Sequence, residues 1–294
     1  MSSQSHISSQ IVKSLARQAG FDLCGVCPAE PLERDSRRFR RWLAEGFHGQ
    51  MDYLAREPER RTDPRLLMPG AKSIIALALN YYLPNHELRP GHGRVARYAR
   101  GRDYHKVSEG KLKKLIAAIC QADQNLESRR DFRAYVDYGP LLERAYAERA
   151  GLGFIGRNSL LITEEFGSWV LLSEIITTLE LEPDEPDQKR HGSCGSCRRC
   201  LDHCPTGAIL APGVVDARKC ISYLTIEQRG EIEAELRAQV GDNLFGCDIC
   251  QEVCPFNHPD HRATPTTHGE FLPETGVGES LDLKSILEMA TEEG

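Results

Sequence analysis

The chain has 294 residues, a formal net charge of −6 and 27% charged residues, an ordinary composition for a globular protein. No run approaches the ~20 apolar residues of a membrane span, and no apolar signal segment precedes the Ser-rich start. We therefore expect a cytoplasmic protein with no membrane partner. In that reducing compartment cysteines are more often metal ligands than disulfides.

The N-terminal part alternates helical and strand-like periodicity, which indicates an α/β (α+β) domain. Helices are predicted at 8–19, 33–46, 104–121 and 140–150, and strands at 21–26, 72–82, 132–138, 159–163 and 168–181. Pro140 opens the last of these helices and Gly151 follows its end. A loop rich in Pro and charge at 182–189 then separates this part from the rest. We divide the chain into domains at 1–183 and 184–262 and a short C-terminal tail at 263–294, with one helix at 281–290.

Charge is unevenly distributed along the chain. Residues 89–114 hold nine Lys or Arg against two acidic residues, whereas residues 227–294 hold four basic and fifteen acidic residues. A basic stripe inside an acidic protein can bind phosphate locally. Charge alone favours the simpler interpretation, a solvated helix face.

Two motifs nearly match known patterns. Gly151, Gly153 and Gly156 form G-x-G-x-x-G, but a predicted helix precedes them and a strand follows, the reverse of a dinucleotide site. Asp103 and His105 begin like a D-x-H-x-x-G element that supplies a cobalamin ligand in some enzymes, but the glycine is displaced. We therefore predict neither NAD binding nor axial ligation by His105.

Eight of the eleven cysteines fall within 61 residues, with the spacing of ligands to two 4Fe–4S clusters. In two-cluster ferredoxins the fourth Cys of each run ligates the other cluster. Pro follows the last Cys of both runs, and a ferredoxin-like electron-transfer module is therefore predicted. The first cluster is assigned to Cys194, Cys197, Cys200 and Cys254, and the second to Cys204, Cys220, Cys247 and Cys250.

Zinc is the main alternative for these cysteines, because two CxxC pairs also make a four-cysteine zinc site. Zinc explains neither eight cysteines nor the two Cys-Pro endings. Of the others, Cys24 and Cys27 lie in a predicted buried strand and are interpreted as packed structural residues rather than a redox pair. Cys120 is expected in the core, on the apolar face of a helix.

With the cysteines placed, the chain resembles the epoxyqueuosine reductase family over roughly residues 8–258. Many members continue with a C-terminal helical-repeat region that this sequence lacks. The resemblance rests on stretches that are more specific than cysteine spacing. They are RRTDPRLLMPGAKSIIALALNYY (60–82), RYARGRDYHK (97–106), VDYGPLLERAYAERAGLGFIGRNSLLI (136–162), FGSWVLLSEIITTLELEPD (166–184), CGSCRRCLDHCPTGAI (194–209), ARKCISYLT (217–225) and GCDICQEVCPFN (246–257).

The resemblance implies reduction of the epoxide of epoxyqueuosine, at the wobble position of tRNA, to queuosine. Two electrons and two protons remove the oxygen as water. It also implies that the N-terminal domain binds cobalamin, which the clusters reduce to a Co(I) nucleophile. We expect a monomer that receives electrons from an unidentified low-potential donor.

Asp137 matches the family's proton donor. A carboxyl can protonate an opening epoxide only while it holds a proton, so burial near the cofactor should raise its pKa. Without the resemblance, Asp137 would be interpreted as a helix-capping residue before Pro140. The resemblance further implies that the corrinoid pocket is built from Arg61, Asp137, Leu161, Ser168, Leu172, Ser222 and Asp248.

For tRNA, we predict that basic residues near a matching stretch contact phosphates of the anticodon stem. They are Arg94, Arg97, Arg100, Arg102 and Lys106. Two other functions stay open at this point: a corrinoid-dependent, dehalogenase-like reductase of a small molecule, and a noncatalytic iron–sulfur electron carrier.

Overall fold

A computed structural model describes residues 7–184, 192–260 and 263–292 of the chain. Most of the predicted linker at 182–189 lies outside these residues. In the described ranges no helix is both long and apolar enough to cross a membrane.

The core of the N-terminal part is a four-stranded antiparallel sheet in the order β1–β2–β7–β4. Its strands are β1 (Leu23–Pro28), β2 (Ser73–Asn80), β4 (Phe132–Tyr135) and β7 (Val170–Thr177). All eight residues of β2 are buried, which explains its nearly continuous apolar sequence. The predicted strands are therefore present; the first is shifted by two residues along the chain, and the others are shorter than predicted.

Helices pack on both faces of this sheet, and on each face the helix and sheet side chains form one hydrophobic cluster. On one face lie α1 (Ser9–Ala19) and α3 (Tyr104–Ala122), and on the other lies α5 (Glu143–Arg149). The helix α1 begins at the Ser8 cap and ends at Gly20, whose left-handed φ of 93° suits glycine. The amphipathic helix α2 (Glu33–Ala44) buries none of its residues completely.

The helix predicted at 140–150 begins three residues later than expected, at Glu143. Leu142 occupies the capping position and makes no side-chain cap, so the capping interpretation of Asp137 is wrong. Residues 137–142 instead form a loop that starts with Asp137 at φ 54°. Asp137 therefore lies on a loop six residues before the first residue of the helix, too far away to cap it.

The predicted reversal of the glycine motif is confirmed. The helix α5 ends before Gly151, and the hairpin of β5 (Gly153–Ile155) and β6 (Leu161–Thr163) follows it. A Cβ on Gly153 would lie 2.2 Å from the Ile162 carbonyl oxygen, so this glycine permits close strand pairing rather than phosphate binding.

The cysteine-rich part contains only short elements, consistent with a module organised around bound groups. They are α6 (Arg199–Asp202), β8 (Ile209–Ala211), β9 (Val214–Val215), α7 (Ile221–Ile226), α8 (Ala234–Val240), β10 (Asn243–Phe245) and α9 (Ile249–Glu252). The remaining elements are α4 (Ser128–Asp131), β3 (His92–Val95), β11 (Ser280–Asp282) and α10 (Leu283–Glu292).

A small sheet joins all three parts of the chain. The central strand β3 pairs with β10 of the cysteine-rich part and with β11 of the C-terminal segment. The segment from residue 263 is also tied to the main sheet, because His268 Nε2 lies 2.7 Å from the Asp22 carboxylate. The described part of the predicted tail is thus packed into the fold.

Candidate active site and iron–sulfur ligands

The four cysteines assigned to the first cluster lie around one cavity. Cys194, Cys197, Cys200 and Cys254 line it together with Arg157 and Phe256. Burial, with smaller contributions from the thiols of Cys194, Cys200 and Cys197, raises the pKa of the Cys254 thiol to about 11. The backbone N–H of Arg157 points at Cys194 Sγ over 3.4 Å, as donors to cluster sulfurs do. Four convergent thiols fit the donor set that a 4Fe–4S cluster needs.

The second set of cysteines is also mutually close. Burial raises the pKa of Cys247 to about 12, and the thiols of Cys220 and Cys204 contribute. Removal from water also raises the pKa of the half-buried Cys250, and the same three thiols and Cys200 contribute. This second group therefore approaches the first at Cys200, as expected for two centres that exchange electrons.

A buried hydrogen-bond network attaches the cysteine-rich module to the main sheet. Asn257 accepts from the Ser168 N–H over 2.7 Å and donates to Ser168 Oγ over 2.7 Å. Gln251 Nε2 donates to the Ser168 carbonyl oxygen over 3.0 Å. The adjacent Gly167 has φ 58°, and an added Cβ would lie 2.2 Å from Asn257 Oδ1. Only glycine fits here, because any side chain would collide with Asn257 and with the Phe256 carbonyl oxygen.

An ion cluster forms a second attachment and corrects part of the basic-stripe prediction. Arg97 is buried, donates to the Asp248 and Glu252 carboxylates over 2.9 and 2.8 Å, and stacks over Trp169. The Arg100 side chain is fully buried and donates to the Val95 carbonyl oxygen and to Asn85. Neither guanidinium faces solvent, so the prediction that these two arginines contact tRNA phosphates is wrong.

Asp137 lies among aromatic side chains at the surface. Tyr104 Oη donates to Asp137 Oδ2 over 2.5 Å, and His105 Nε2 is 3.6 Å from the same oxygen. The His105 ring stacks on Tyr104 at a centroid distance of 4.0 Å and lies 5.9 Å from the Tyr138 ring. Burial and the Asp137 charge raise the pKa of Tyr104, so it remains a hydrogen-bond donor. The carboxyl of Asp137 is held in one orientation as a result.

The expected burial of Asp137 is not present in this structure. Its side chain is 63% exposed, because its loop projects from the sheet edge. It is therefore open to a substrate from the solvent side.

Arg61 and Tyr53 lie beside the Asp137 loop. The Arg61 carbonyl oxygen accepts from the Leu142 N–H over 2.9 Å, and its guanidinium lies 6.0 Å from the Tyr53 ring centroid. Burial raises the pKa of Tyr53, to which the nearby Asp137 carboxylate also contributes. Arg61 Nε is buried and has no hydrogen-bond partner within the described residues. This unpaired donor is available to a bound group.

Two further carboxyl groups lie beneath Asp137. Glu143 lies in the first turn of α5 and is half-buried, and Glu143 Oε1 and both carboxyl oxygens of Glu174 have no hydrogen-bond partner within the described residues. Glu174 lies on β7 and is 0% exposed. Burial raises the pKa of Glu143 to about 7, and it raises the pKa of Glu174 well above its usual value.

The residues predicted to hold cobalamin fall into two groups in this structure. One group could contact a large ring system that carries amide groups. It consists of Arg61 with its unpaired donor, the exposed Asp137 and the partly exposed Leu172. Leu161 is a buried core residue of the cluster around α5, and the Ser168 and Asp248 side chains are fully engaged as described. Ser222 is partly buried in the first turn of α7, and its N–H points at Cys220.

The sequence analysis missed Tyr53, Tyr104, Glu143 and Glu174. A signal for one of them was present, because Glu174 is the only charged residue in the apolar run from 166 to 179. A charged residue within a buried strand is costly and calls for an explanation. Tyr104 and Glu143 lie in matched stretches, but nothing in their local pattern distinguishes them from ordinary helix residues.

Cys24 and Cys27 lie on opposite faces of β1, since residues three apart in a strand point in opposite directions. Burial raises the pKa of each to about 12. They cannot bond to each other without rebuilding the strand, which agrees with their interpretation as structural residues.

Comparisons with known proteins bear on both parts of the chain. Residues 61–138 match the family described as "Epoxyqueuosine reductase QueG, DUF1730", and residues 193–257 match the "4Fe-4S double cluster binding domain". An epoxyqueuosine reductase of Cyclobacterium marinum is 41% identical over 273 residues, which cover 92% of this chain and 85% of that protein.

Two solved structures are also similar to this chain. One is an epoxyqueuosine reductase with an epoxyqueuosine-modified tRNA-Tyr stem loop (TM-score 0.82, 35% identity, 95% of this chain and 72% of that one). The other, from Bacillus subtilis, has a catalytic aspartate loop swung out of the active site (TM-score 0.80, 35% identity, with the same coverage).

Proposed function

The chain belongs to the epoxyqueuosine reductase family, and from that premise we propose how its own residues carry out the reaction. It is an oxidoreductase that reduces epoxyqueuosine in tRNA to queuosine with electrons from its double 4Fe–4S module. A cytoplasmic location, a monomeric state and a separate low-potential electron donor are part of this proposal.

Asp137 is proposed as the proton donor to the epoxide oxygen. The observation that carries this assignment is its geometry: an exposed carboxyl on a loop with φ 54°, oriented by the Tyr104 hydroxyl. Backbone strain of this kind persists where the surroundings over-determine it, and it is common at active sites. A loop is also able to move, as the related Bacillus subtilis structure illustrates for its own catalytic loop. A bound tRNA loop and cofactor would cover Asp137 from the solvent side.

The cofactor pocket is proposed next to this loop. Arg61 would donate to the periphery of cobalamin, and Leu172 would pack against it. When bound, cobalamin supplies the low-potential reducing chemistry that no protein side chain offers. The other predicted residues would support the pocket and the clusters indirectly. Leu161 packs in the core, Ser168 and Asp248 attach the cysteine-rich module, and Ser222 lies in the turn after Cys220.

The eight cysteines are proposed as cluster ligands in the two sets given above. Electrons would pass between the two groups where they approach each other, at Cys200 and Cys250. The contacts at Arg97 and Ser168 hold the module against the sheet that carries the active site.

Anaerobic reconstitution with iron, sulfide and cobalamin, followed by assay on tRNA carrying epoxyqueuosine, tests this function. We expect queuosine in the nucleoside digest, and formation should require both the reductant and cobalamin. Absence of queuosine from a protein with intact clusters and bound corrinoid would contradict the proposal. Turnover of a halogenated small molecule in its place would favour the dehalogenase-like alternative.

A further inference from the structure

Tyr138 presents an exposed aromatic ring directly beside the proposed proton donor. It follows Asp137 in the chain and is 63% exposed. A single exposed apolar residue on a protein surface needs no explanation. This ring, however, belongs to a group of aromatic side chains that surrounds the acid, and the reaction proposed above assigns it no role.

The Tyr138 ring is the outer member of a stack of three aromatic rings. Its centroid lies 5.9 Å from that of His105, and the ring planes differ by 29°. The half-buried His105 ring stacks in turn on Tyr104, with a centroid distance of 4.0 Å and the same angle. Tyr104, at the inner end, is the residue whose hydroxyl donates to the Asp137 carboxylate. A flat group that extends the stack at Tyr138 would therefore be held at a fixed position relative to the acid.

The Tyr138 side chain is itself held in one orientation. Its hydroxyl donates to Glu109 Oε1 in α3 over 2.7 Å, and this hydrogen bond raises the pKa of Tyr138. The Tyr138 N–H donates to the Val136 carbonyl oxygen over 2.5 Å, which makes a tight turn at Asp137. The polar end of the ring is thus used within the protein, and the exposed ring surface is preorganised for a ligand.

Positive charges lie on the face of α3 that holds Tyr138. Lys106 and Lys113 are exposed, and they lie three residues before and four residues after Glu109, so the three side chains share one face of the helix. Proteins that bind single-stranded nucleic acid combine aromatic rings, on which bases stack, with cations that follow the phosphates. The surroundings of Tyr138 have both parts of this arrangement.

Resting on the proposed function, we propose that the Tyr138 ring is a stacking platform for an unpaired nucleobase of the tRNA anticodon loop. The base extends the stack that runs from Tyr104 through His105, and it thereby positions the modified nucleotide with its epoxide beside Asp137. Sequence-specific RNA recognition commonly uses loop bases that leave the RNA stack and stack on aromatic side chains. Tyr138 is a positioning residue in this assignment, because its hydroxyl is bound to Glu109 and takes no part in proton transfer.

The test measures the affinity of the cluster-loaded full chain for an anticodon stem loop that carries epoxyqueuosine. Tyr138→Phe keeps the ring and loses the hydrogen bond to Glu109, whereas Tyr138→Leu loses the ring. We expect Tyr138→Leu to bind roughly 5- to 100-fold more weakly than wild type, and Tyr138→Phe to stay within about twofold of it. If Tyr138→Phe bound as weakly as Tyr138→Leu, the hydroxyl would be the part that matters, and the proposal would be overturned.

Salt dependence separates stacking from a charge effect. The slope of log affinity against log salt should be the same for wild type and Tyr138→Leu, because stacking neutralises no phosphate. Leu210→Ala removes an exposed apolar side chain from β8 and is a control that should bind like wild type. If Tyr138→Leu bound the stem loop like wild type but lost affinity for cobalamin, the ring would belong to the cofactor pocket, and the proposal would be overturned.

Tyr138→Trp supplies a readout that does not depend on turnover. The chain has two tryptophans, of which Trp169 is buried and Trp42 half-buried, and this variant adds an exposed third. Its additional emission should be quenched as the stem loop is added, whereas unchanged emission at saturating stem loop would overturn the proposal. If wild type binds the stem loop but forms no queuosine, the proposed function fails, and the quenching still decides whether Tyr138 is a stacking platform.

Discussion

At Asp137, the backbone conformation and the side-chain contacts together fix the position of the carboxyl group. Left-handed φ values are rare for residues other than glycine, and Asn and Asp tolerate them best. The Tyr104 hydroxyl and the His105 ring then fix the carboxyl on a loop that could otherwise rotate freely. Asparagine is consequently the most informative replacement, because it keeps the backbone and removes the acid.

We expect Asp137→Asn to lower kcat by about 100-fold or more, the usual contribution of a positioned general acid. Iron content and tRNA affinity should stay at the wild-type level. The control is Asp242→Asn, a change at an exposed aspartate before β10, which should leave kcat unchanged. Single-turnover conversion of modified tRNA is the measurement, and near-normal turnover would remove Asp137 from the proton-donor role.

The buried and exposed members of the basic stripe should respond differently to substitution. Arg97→Met leaves Asp248 buried without its partner, so the free energy of unfolding should fall by about 3–5 kcal/mol. Arg102 is exposed, and Arg102→Met should change it by about 0.5 kcal/mol or less. Denaturant unfolding of both variants checks this.

The salt dependence of tRNA affinity tests the remaining phosphate contacts. If Arg102 neutralises a phosphate, Arg102→Met should reduce the slope of log affinity against log salt by about one. An unchanged slope would remove Arg102 from the predicted contact set, which would then be limited to Arg94 and Lys106.

At the scale of the elements, two glycines allow a controlled comparison, because one is tightly packed and the other faces open space. A Cβ on Gly25 in β1 would lie 2.1 Å from the Ala150 carbonyl oxygen, whereas one on Gly110 in α3 would meet no atom within 4 Å. Gly25→Ala should therefore lower the free energy of unfolding by about 1–3 kcal/mol or more. Gly110→Ala should raise it by about 0.5–1 kcal/mol, because alanine favours the helix. Thermal or denaturant unfolding measures both, and equal effects of the same sign would contradict the packing described here.

Elements whose pattern is set locally were predictable from the sequence. The apolar run of β2 and the helical spacing of Leu112, Leu115 and Ile119 in α3 each predicted the observed element. The start of α5 was predicted wrongly, because Pro140 is typical of a first helical residue but here precedes the helix, which begins at Glu143. The burial of Arg97 and Arg100 is likewise invisible in a count of charges, since their acidic partners lie far along the chain.

For the molecule as a whole, the half-buried Glu143 and the buried Glu174 make the free energy of unfolding depend on pH. A carboxyl whose pKa is raised on folding stabilises the protein below its unfolded pKa of about 4.5, and this contribution is lost as pH rises through about 7. At ~1.4 kcal/mol per pKa unit, the raised pKa of Glu143 corresponds to a change of about 3 kcal/mol in the free energy of unfolding between low and high pH. Lowering the pH should thus raise this contribution to the free energy of unfolding, whereas it lowers the contribution of ion-paired carboxylates.

We expect the double variant Glu143→Gln, Glu174→Gln to lose less stability than wild type between pH 5 and pH 8. Anaerobic denaturant unfolding at several pH values measures this difference, with Ser173→Ala as a control that should run parallel to wild type. Parallel curves for the double variant would show that the two carboxyls do not change their protonation on folding.

The assembly of the molecule also depends on a single position without a side chain. At Gly167 the backbone of the main sheet meets the chain just after Cys254, in a contact that leaves no room for a Cβ. Cys254 is a proposed ligand of the first cluster, and it lies two residues before the Phe256 carbonyl oxygen that such a Cβ would meet. A methyl group at residue 167 would therefore push the segment that carries this ligand away from the N-terminal part of the chain.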